Sequence, residues 1–169
     1  PKTPKPLMFE LFSFIKNAGA KVFGIGKTTA EEAAETAANN AAIAKEKAIK
    51  LSNAVETLGF EVTDLNIEVT GDSATIWGQA DSQATREKVI LVLGNTEGIA
   101  TVDDQMTVVI PEPEAQFHTV VKGEYLSKIA KKYYGDAMKY PLIFEANKPM
   151  LTDPDKIYPG QVLRIPKLD

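Results

Sequence analysis

Residues Val89, Ile90, Leu91, Val92 and Leu93 form an unbroken apolar run that ends at Gly94. A helix resting on one core needs an apolar stripe only, with polar residues elsewhere around its circumference. A helix that is apolar on every side has to be covered twice. The chain must therefore bring a second element against a helix already seated on a core. Gly94 marks where that helix stops.

The neighbouring sequence supplies the first core. Leu65, Ile67 and Val69 alternate, Gly71-Asp72 makes a turn, and Ala74 and Ile76 resume the inner face, which is the pattern of a hairpin. Ser82 is placed to cap the helix that carries the apolar run. Residues 100–110 read as a third strand. Upstream, Thr29 and Glu32 form a capping box that opens an alanine-rich helix stopped near Gly59. Met8–Ala18 reads as a short amphipathic helix closed by Gly19, joined to the rest by the glycine-punctuated connector 19–27. This Phe-rich leader is the expected cover for the second apolar face. The first seven residues, PKTPKPL, are expected to be a leftover of an expression vector and are set aside.

The clearest boundary is Pro111–Gln116, where prolines alternate with glutamates in a short, semi-rigid linker. Beyond it, FHTVV reads as a strand, LSKIAKKYYG as an amphipathic helix ended by Gly135, YPLIFEAN as a second helix and QVLRIP as a last strand. The expected fold class is α+β: helices on a small three-stranded sheet, then a βααβ unit. The boundaries are 8–27 for the leader and connector, 28–110 for the first domain, 111–116 for the linker and 117–169 for the second domain.

Composition removes several functions. There is no cysteine, so neither a disulfide framework nor a thiolate metal site can form. No apolar run approaches the ~20 residues that span a bilayer. Residues 8–19 lack a basic leader and are interrupted by Glu10, which argues against a secretory signal and for the cytoplasm. The net charge of −4 argues against nonspecific nucleic-acid binding. Residues 1–116 carry ten basic and seventeen acidic side chains and residues 117–169 nine and six, so the two parts have opposite net charge and an electrostatic reason to dock.

No catalytic set can be assembled, so an enzyme is not expected. His118, the one histidine, is read as a structural strand residue. Asp103 and Asp104 are adjacent in a strand and point to opposite faces, so they cannot share an ion, and a solvated or capping role is expected. Gly24–Thr28, GIGKT, lacks the phosphate-loop spacing and a preceding strand. Tyr133 and Tyr134 offer a sugar-stacking platform or, more commonly, half-buried packing.

The Gly71 hairpin, Gly78, the Gly94 and Gly98-Ile99 pair and the VDDQ strand resemble a BON domain. Residues 117–166, with IFEANKPMLTDPDKIYPGQVLRIP, closely resemble a LysM domain. Together with LFSFIKNAG and GNTEGIATVDDQ, the chain resembles the small bacterial BON–LysM potassium-binding proteins. That resemblance implies K⁺ as ligand and an arrangement of BON and LysM that responds to it in a monomer. The last carbonyls of a helix have no intrahelical partner and carry partial negative charge, which suits a large, weakly hydrated cation. If the leader helix and the apolar helix end side by side, the main-chain oxygens of Ile15, Ala18, Gly94, Thr96 and Ile99 converge on one cavity. The LysM resemblance implies a second function, binding of peptidoglycan N-acetylglucosamine in a groove lined by Gly123, Glu124, Tyr125, Leu126, Asn147, Ile157 and Tyr158. Glu124 and Tyr125 depart from the usual Gly-Asp-Thr-Leu loop, and Tyr125 removes a capping hydroxyl. A third reading places the protein in envelope stress at a membrane through BON and the leader. The leader's few basic residues and its scattered Phe9, Phe12 and Phe14 speak against it.

Overall fold

The computed structural model describes residues 10–14 and 37–168. Strand β1 (Glu10–Ser13) precedes helix α1 (Ala37–Thr57), a hairpin of β2 (Val62–Thr70) and β3 (Ser73–Ala80), helix α2 (Gln83–Gly94) and strand β4 (Thr101–Val108). The second unit contains β5 (Gln116–Thr119), α3 (Leu126–Tyr134), a 3₁₀ turn (Ala137–Lys139), α4 (Tyr140–Ala146) and β6 (Val162–Ile165).

The leader is a correction. Residues 10–13 form a strand, where the sequence reading placed a helix over Met8–Ala18. β1 pairs antiparallel with β4, with Phe12 opposite Val102, and the Phe14 amide donates to the Ala100 carbonyl at 2.7 Å. The reason is the period of the aromatics. Phe12 and Phe14 are two apart, so in a strand they share one face, whereas no helical face gathers them. Both pack against the first core. Gly19, the expected helix stop, and the capping box at Thr29 and Glu32 lie outside the described residues.

The sheet therefore has four strands in the order β1-β4-β3-β2. The β2–β3 hairpin turns on Gly71, at φ 61°, with Ile67 opposite Ile76 and Val69 opposite Ala74. Gly78 faces an irregularity in β2 between Thr63 and Asn66, and a Cβ there would come within 2.6 Å of Val62 Cγ1. β3 and β4 are parallel, connected by α2. Ser82 caps α2, its hydroxyl accepting from the Thr85 amide at 3.1 Å.

The apolar run of α2 is covered twice. Val89, Ile90 and Leu93 belong to the core formed with the sheet and α1. Leu91 and Val92 belong to a second core with Val120, Leu126, Ile129, Ile143, Val162 and Leu163. The second face is thus covered mainly by the C-terminal unit, where the sequence reading assigned it to the leader; Phe14 contributes at the rim of both cores. All five residues are at most 1% exposed, and burying side chains of this size contributes about 1.5–3 kcal/mol each.

Candidate functional site

The loop from Gly94 to Ile99 lies where α2 ends between the two cores. Its backbone amides and Thr96 Oγ1 bond locally: the Asn95 amide donates to Leu91 O at 2.9 Å, the Thr96 amide to Leu93 O at 3.2 Å, Thr96 Oγ1 to Val92 O at 2.7 Å and the Ile99 amide to Thr96 O at 3.2 Å. Among the described residues, no backbone amide donates to the carbonyls of Gly94 or Ile99. Asn95, Thr96, Gly98 and Ile99 are buried, and Gly98 sits at φ +91°, a conformation that glycine adopts without cost. The loop is a largely buried turn at the partially negative end of a helix.

Gly94 has a different task from the one read in the sequence. It lies inside α2, without a left-handed φ. A Cβ on it would collide with Cζ, Cε1 and Cε2 of Phe14. Gly94 is a glycine because an aromatic ring of the leader lies on the helix backbone. One helix end, α2, therefore meets a strand, and the expected pair of converging helix C-termini is not formed by residues 10–14. Of the five candidate residues, Gly94, Thr96 and Ile99 lie in this loop, and the Thr96 carbonyl accepts from the Ile99 amide; Ile15 and Ala18 lie outside the described residues.

Asn95, which the sequence reading passed over, joins the loop to the C-terminal unit. Its Nδ2 donates to Val162 O at 2.8 Å, and its Oδ1 accepts from the Val162 amide at 2.8 Å. Asn147 does the same to Arg164, accepting from its amide at 2.7 Å and donating to its carbonyl at 2.9 Å. β6 pairs with β5 along one edge only, and the two asparagines close the other edge, whose groups would otherwise be left bare. A second tie runs through Glu87: Oε1 accepts from Arg164 Nε at 2.7 Å, and Oε2 accepts from the Ala115 amide at 2.9 Å and from Gln83 Nε2 at 3.2 Å. The linker is anchored at Ala115 by this contact.

Asp103 and Asp104 do face apart, but Asp104 is not solvated. It is 1% exposed and pairs with Arg86, with Nη2 to Oδ2 at 2.7 Å, while its Oδ1 accepts from the Met106 amide. Among the described residues, no group of three or more His, Asp or Glu is placed to hold a metal.

Two side chains of the expected glycan groove, Glu124 and Asn147, are committed to internal bonds. Glu124 Oε1 meets His118 Nε2 at 2.8 Å and accepts from the Val121 amide at 2.8 Å, while His118 Nδ1 lies 2.9 Å from Tyr133 Oη. Burial opposes ionisation of Glu124, but the Val121 amide and His118 together hold its carboxyl below the usual carboxylate range. A depressed folded-state value means that the clasp stabilises above the ordinary carboxylate range and fades as pH falls through it. The stability advantage of the natural protein over Glu124→Gln is accordingly expected at pH 7 and expected to shrink as pH falls below the usual carboxylate range, as read from urea midpoints. Leu126 and Asn147 are 2% and 1% exposed and belong to the interior, a correction to their placement in the groove. Tyr125 is exposed and begins α3 without a side-chain cap, as the loss of a hydroxyl there implies. Gly123 takes φ +88°, Ile157 is half-buried, and burial pushes the half-buried Tyr158 phenol up to about 12. Tyr133 and Tyr134 are half-buried and bonded, Tyr134 Oη donating to Pro166 O.

The BON domain family matches residues 47–110 and the LysM domain family residues 118–166. The potassium binding protein Kbp of Escherichia coli O6:H1 is 42% identical over 158 residues, which cover 93% of this chain and 98% of that protein. The chain belongs to the Kbp family. Its likeness to other proteins is partial. An uncharacterized protein of Deinococcus radiodurans is 53% identical over 49 residues, 19% of its length. Esterase MT1326 of Mycobacterium tuberculosis is 47% identical over 53 residues, 11% of its length, and carries no activity to this chain. BON and LysM are not enzyme families. Against the Kbp-type reading of the sequence, what was missed is Asn95 and the clasp on His118. The signal for Asn95 was available: a polar residue one glycine beyond five core residues can stay buried only with its amide fully paired.

Proposed function

We propose that this protein binds K⁺ in the Gly94–Ile99 loop and reports the ion through the docking of LysM on α2. The single observation that carries the reading is 42% identity to the potassium binding protein Kbp across 93% of the chain. The loop geometry is consistent with it. Neutral carbonyl oxygens of buried residues suit a monovalent cation better than a divalent one, and Glu97, in the same loop and only part-buried, adds negative charge that attracts a cation. Gly94, Thr96 and Ile99 would supply oxygens from the loop, with Ile15 and Ala18 from the leader.

The route to LysM is one residue long. Asn95 belongs to the loop and grips Val162 of β6. An ion that fixes the loop also fixes the asparagine, and a ligand stabilises whichever state contains its complete site. The protein is then compact in K⁺ and looser without it, a cytoplasmic ion sensor acting as a monomer. No helix among the described residues is long and apolar enough to cross a membrane.

A calorimetric titration with the chlorides of Na⁺, K⁺, Rb⁺ and Cs⁺ tests the reading. Saturable heat with K⁺ and none with Na⁺ is expected; equal responses to both would end the claim of selective recognition. The peptidoglycan reading makes a separate demand, retention on purified sacculi. With Glu124 and Asn147 held by internal bonds, no retention is expected.

A further inference from the structure

Lys47 stands where the fold calls for an apolar side chain. Along α1, Ile43, Lys47, Leu51 and Val55 recur at every fourth position, and all four are buried, Lys47 at 4% exposure. A charge so placed carries a large desolvation penalty unless oxygens surround it. The lysine has an interaction partner, and its ammonium also lies beside the backbone of the Gly94–Ile99 loop. Its Nζ lies 3.9 Å from the point a Cβ would occupy on Gly98. Gly98 is buried and left-handed at φ +91°, so at this position no side chain separates the ammonium from the loop backbone.

We propose that Lys47 is a tethered cation of the Gly94–Ile99 loop and sets the loop's affinity for a free monovalent cation by competing with it. The proposal rests on the reading of that loop as a K⁺ site. An ammonium and K⁺ carry the same charge, and both are satisfied by neutral oxygens. Two such charges within one buried turn repel strongly, because the surroundings screen them far less than water does. The lysine fills the loop when K⁺ is scarce, and the ion must displace it or bear its repulsion. The net effect is a site that responds only to high K⁺.

The test uses the full chain and its Lys47→Met and Lys47→Gln variants, titrated calorimetrically with KCl in a buffer whose only other cation is N-methylglucamine. Both variants are expected to bind K⁺ at least about tenfold more tightly than the natural protein. A second readout is thermal: without K⁺ the variants melt below the natural protein, and saturating K⁺ raises their midpoints more than its own. A third needs no variant. The side-chain ε-CH₂ signals of Lys47 are expected to move during a KCl titration with the same midpoint as the Gly98 and Ile99 amides. If the natural protein binds K⁺ and the variants bind it equally or more weakly, with Lys47 signals unmoved, the competition is refuted while the K⁺ reading stands. If neither the natural protein nor the variants bind K⁺, that reading falls and the competition with it.

Discussion

Replacing Asn95 with alanine is expected to destabilise the protein by about 2–4 kcal/mol, since a buried amide and a buried carbonyl each lose a partner worth roughly 1–3 kcal/mol. Both lost bonds are 2.8 Å long and end on the same residue, Val162. Asn95 is 3% exposed, so water does not readily replace them. The loss falls on the contact between α2 and β6, and the interior of each core is left intact. Urea unfolding is therefore expected to become less cooperative, with the C-terminal unit releasing first and Pro111–Ala115 opening to proteolysis. Asn95→Asp keeps the acceptor for the Val162 amide but sets a buried carboxylate oxygen against the Val162 carbonyl, and a loss at least as large as that of alanine is expected at pH 7. A change below about 0.5 kcal/mol, the range of ordinary surface substitutions, would show that Asn95 does not hold the two units together.

The second large effect concerns Gly94. Gly94→Val is expected to cost about 3 kcal/mol, from overpacking of roughly 1–3 kcal/mol and from the burial lost when the Phe14 ring is expelled. The backbone of Gly94 is helical, so the new side chain itself is tolerated by α2. What it meets is the ring of Phe14. A double-mutant cycle isolates that contact. In a Phe14→Ala background the Gly94→Val substitution is expected to be nearly neutral in stability. A full-sized cost in that background would place the strain elsewhere. The same ring links the leader strand to the loop, through the Phe14 amide on Ala100 O at 2.7 Å. Gly94→Val is thus also expected to weaken K⁺ binding, whereas a glycine needed only to stop the helix would leave binding unchanged.

Much of the architecture can be read from local pattern. The alternation of Leu65, Ile67 and Val69 around Gly71 gives the hairpin, Ser82 gives the start of α2, and Gly135 gives the end of α3 at φ 72°. These signals are local because their causes are local: a two-residue period, a capping hydroxyl, a left-handed turn. The doubly apolar face of α2 also shows that a second unit must cover it. Which unit does so is not local. The leader and the C-terminal unit both offer apolar surface, and only the three-dimensional arrangement gives Leu91 and Val92 to LysM residues. The leader was misread because four strand residues leave too short a record to separate a two-residue period from a helical one, while the sheet edge on β4 that recruits them is some ninety positions away. Lys47 was legible in principle as the one polar residue in the Ile43–Val55 stripe. Its meaning required the knowledge that Gly98 lies against it.

Anomalous diffraction at a wavelength sensitive to potassium, from crystals grown in KCl, tests the central claim most directly. A single peak enclosed by the main-chain oxygens of Gly94, Thr96 and Ile99 is expected, absent from crystals grown in NaCl. A loop without a peak, or a peak held by surface carboxylates elsewhere, would contradict it.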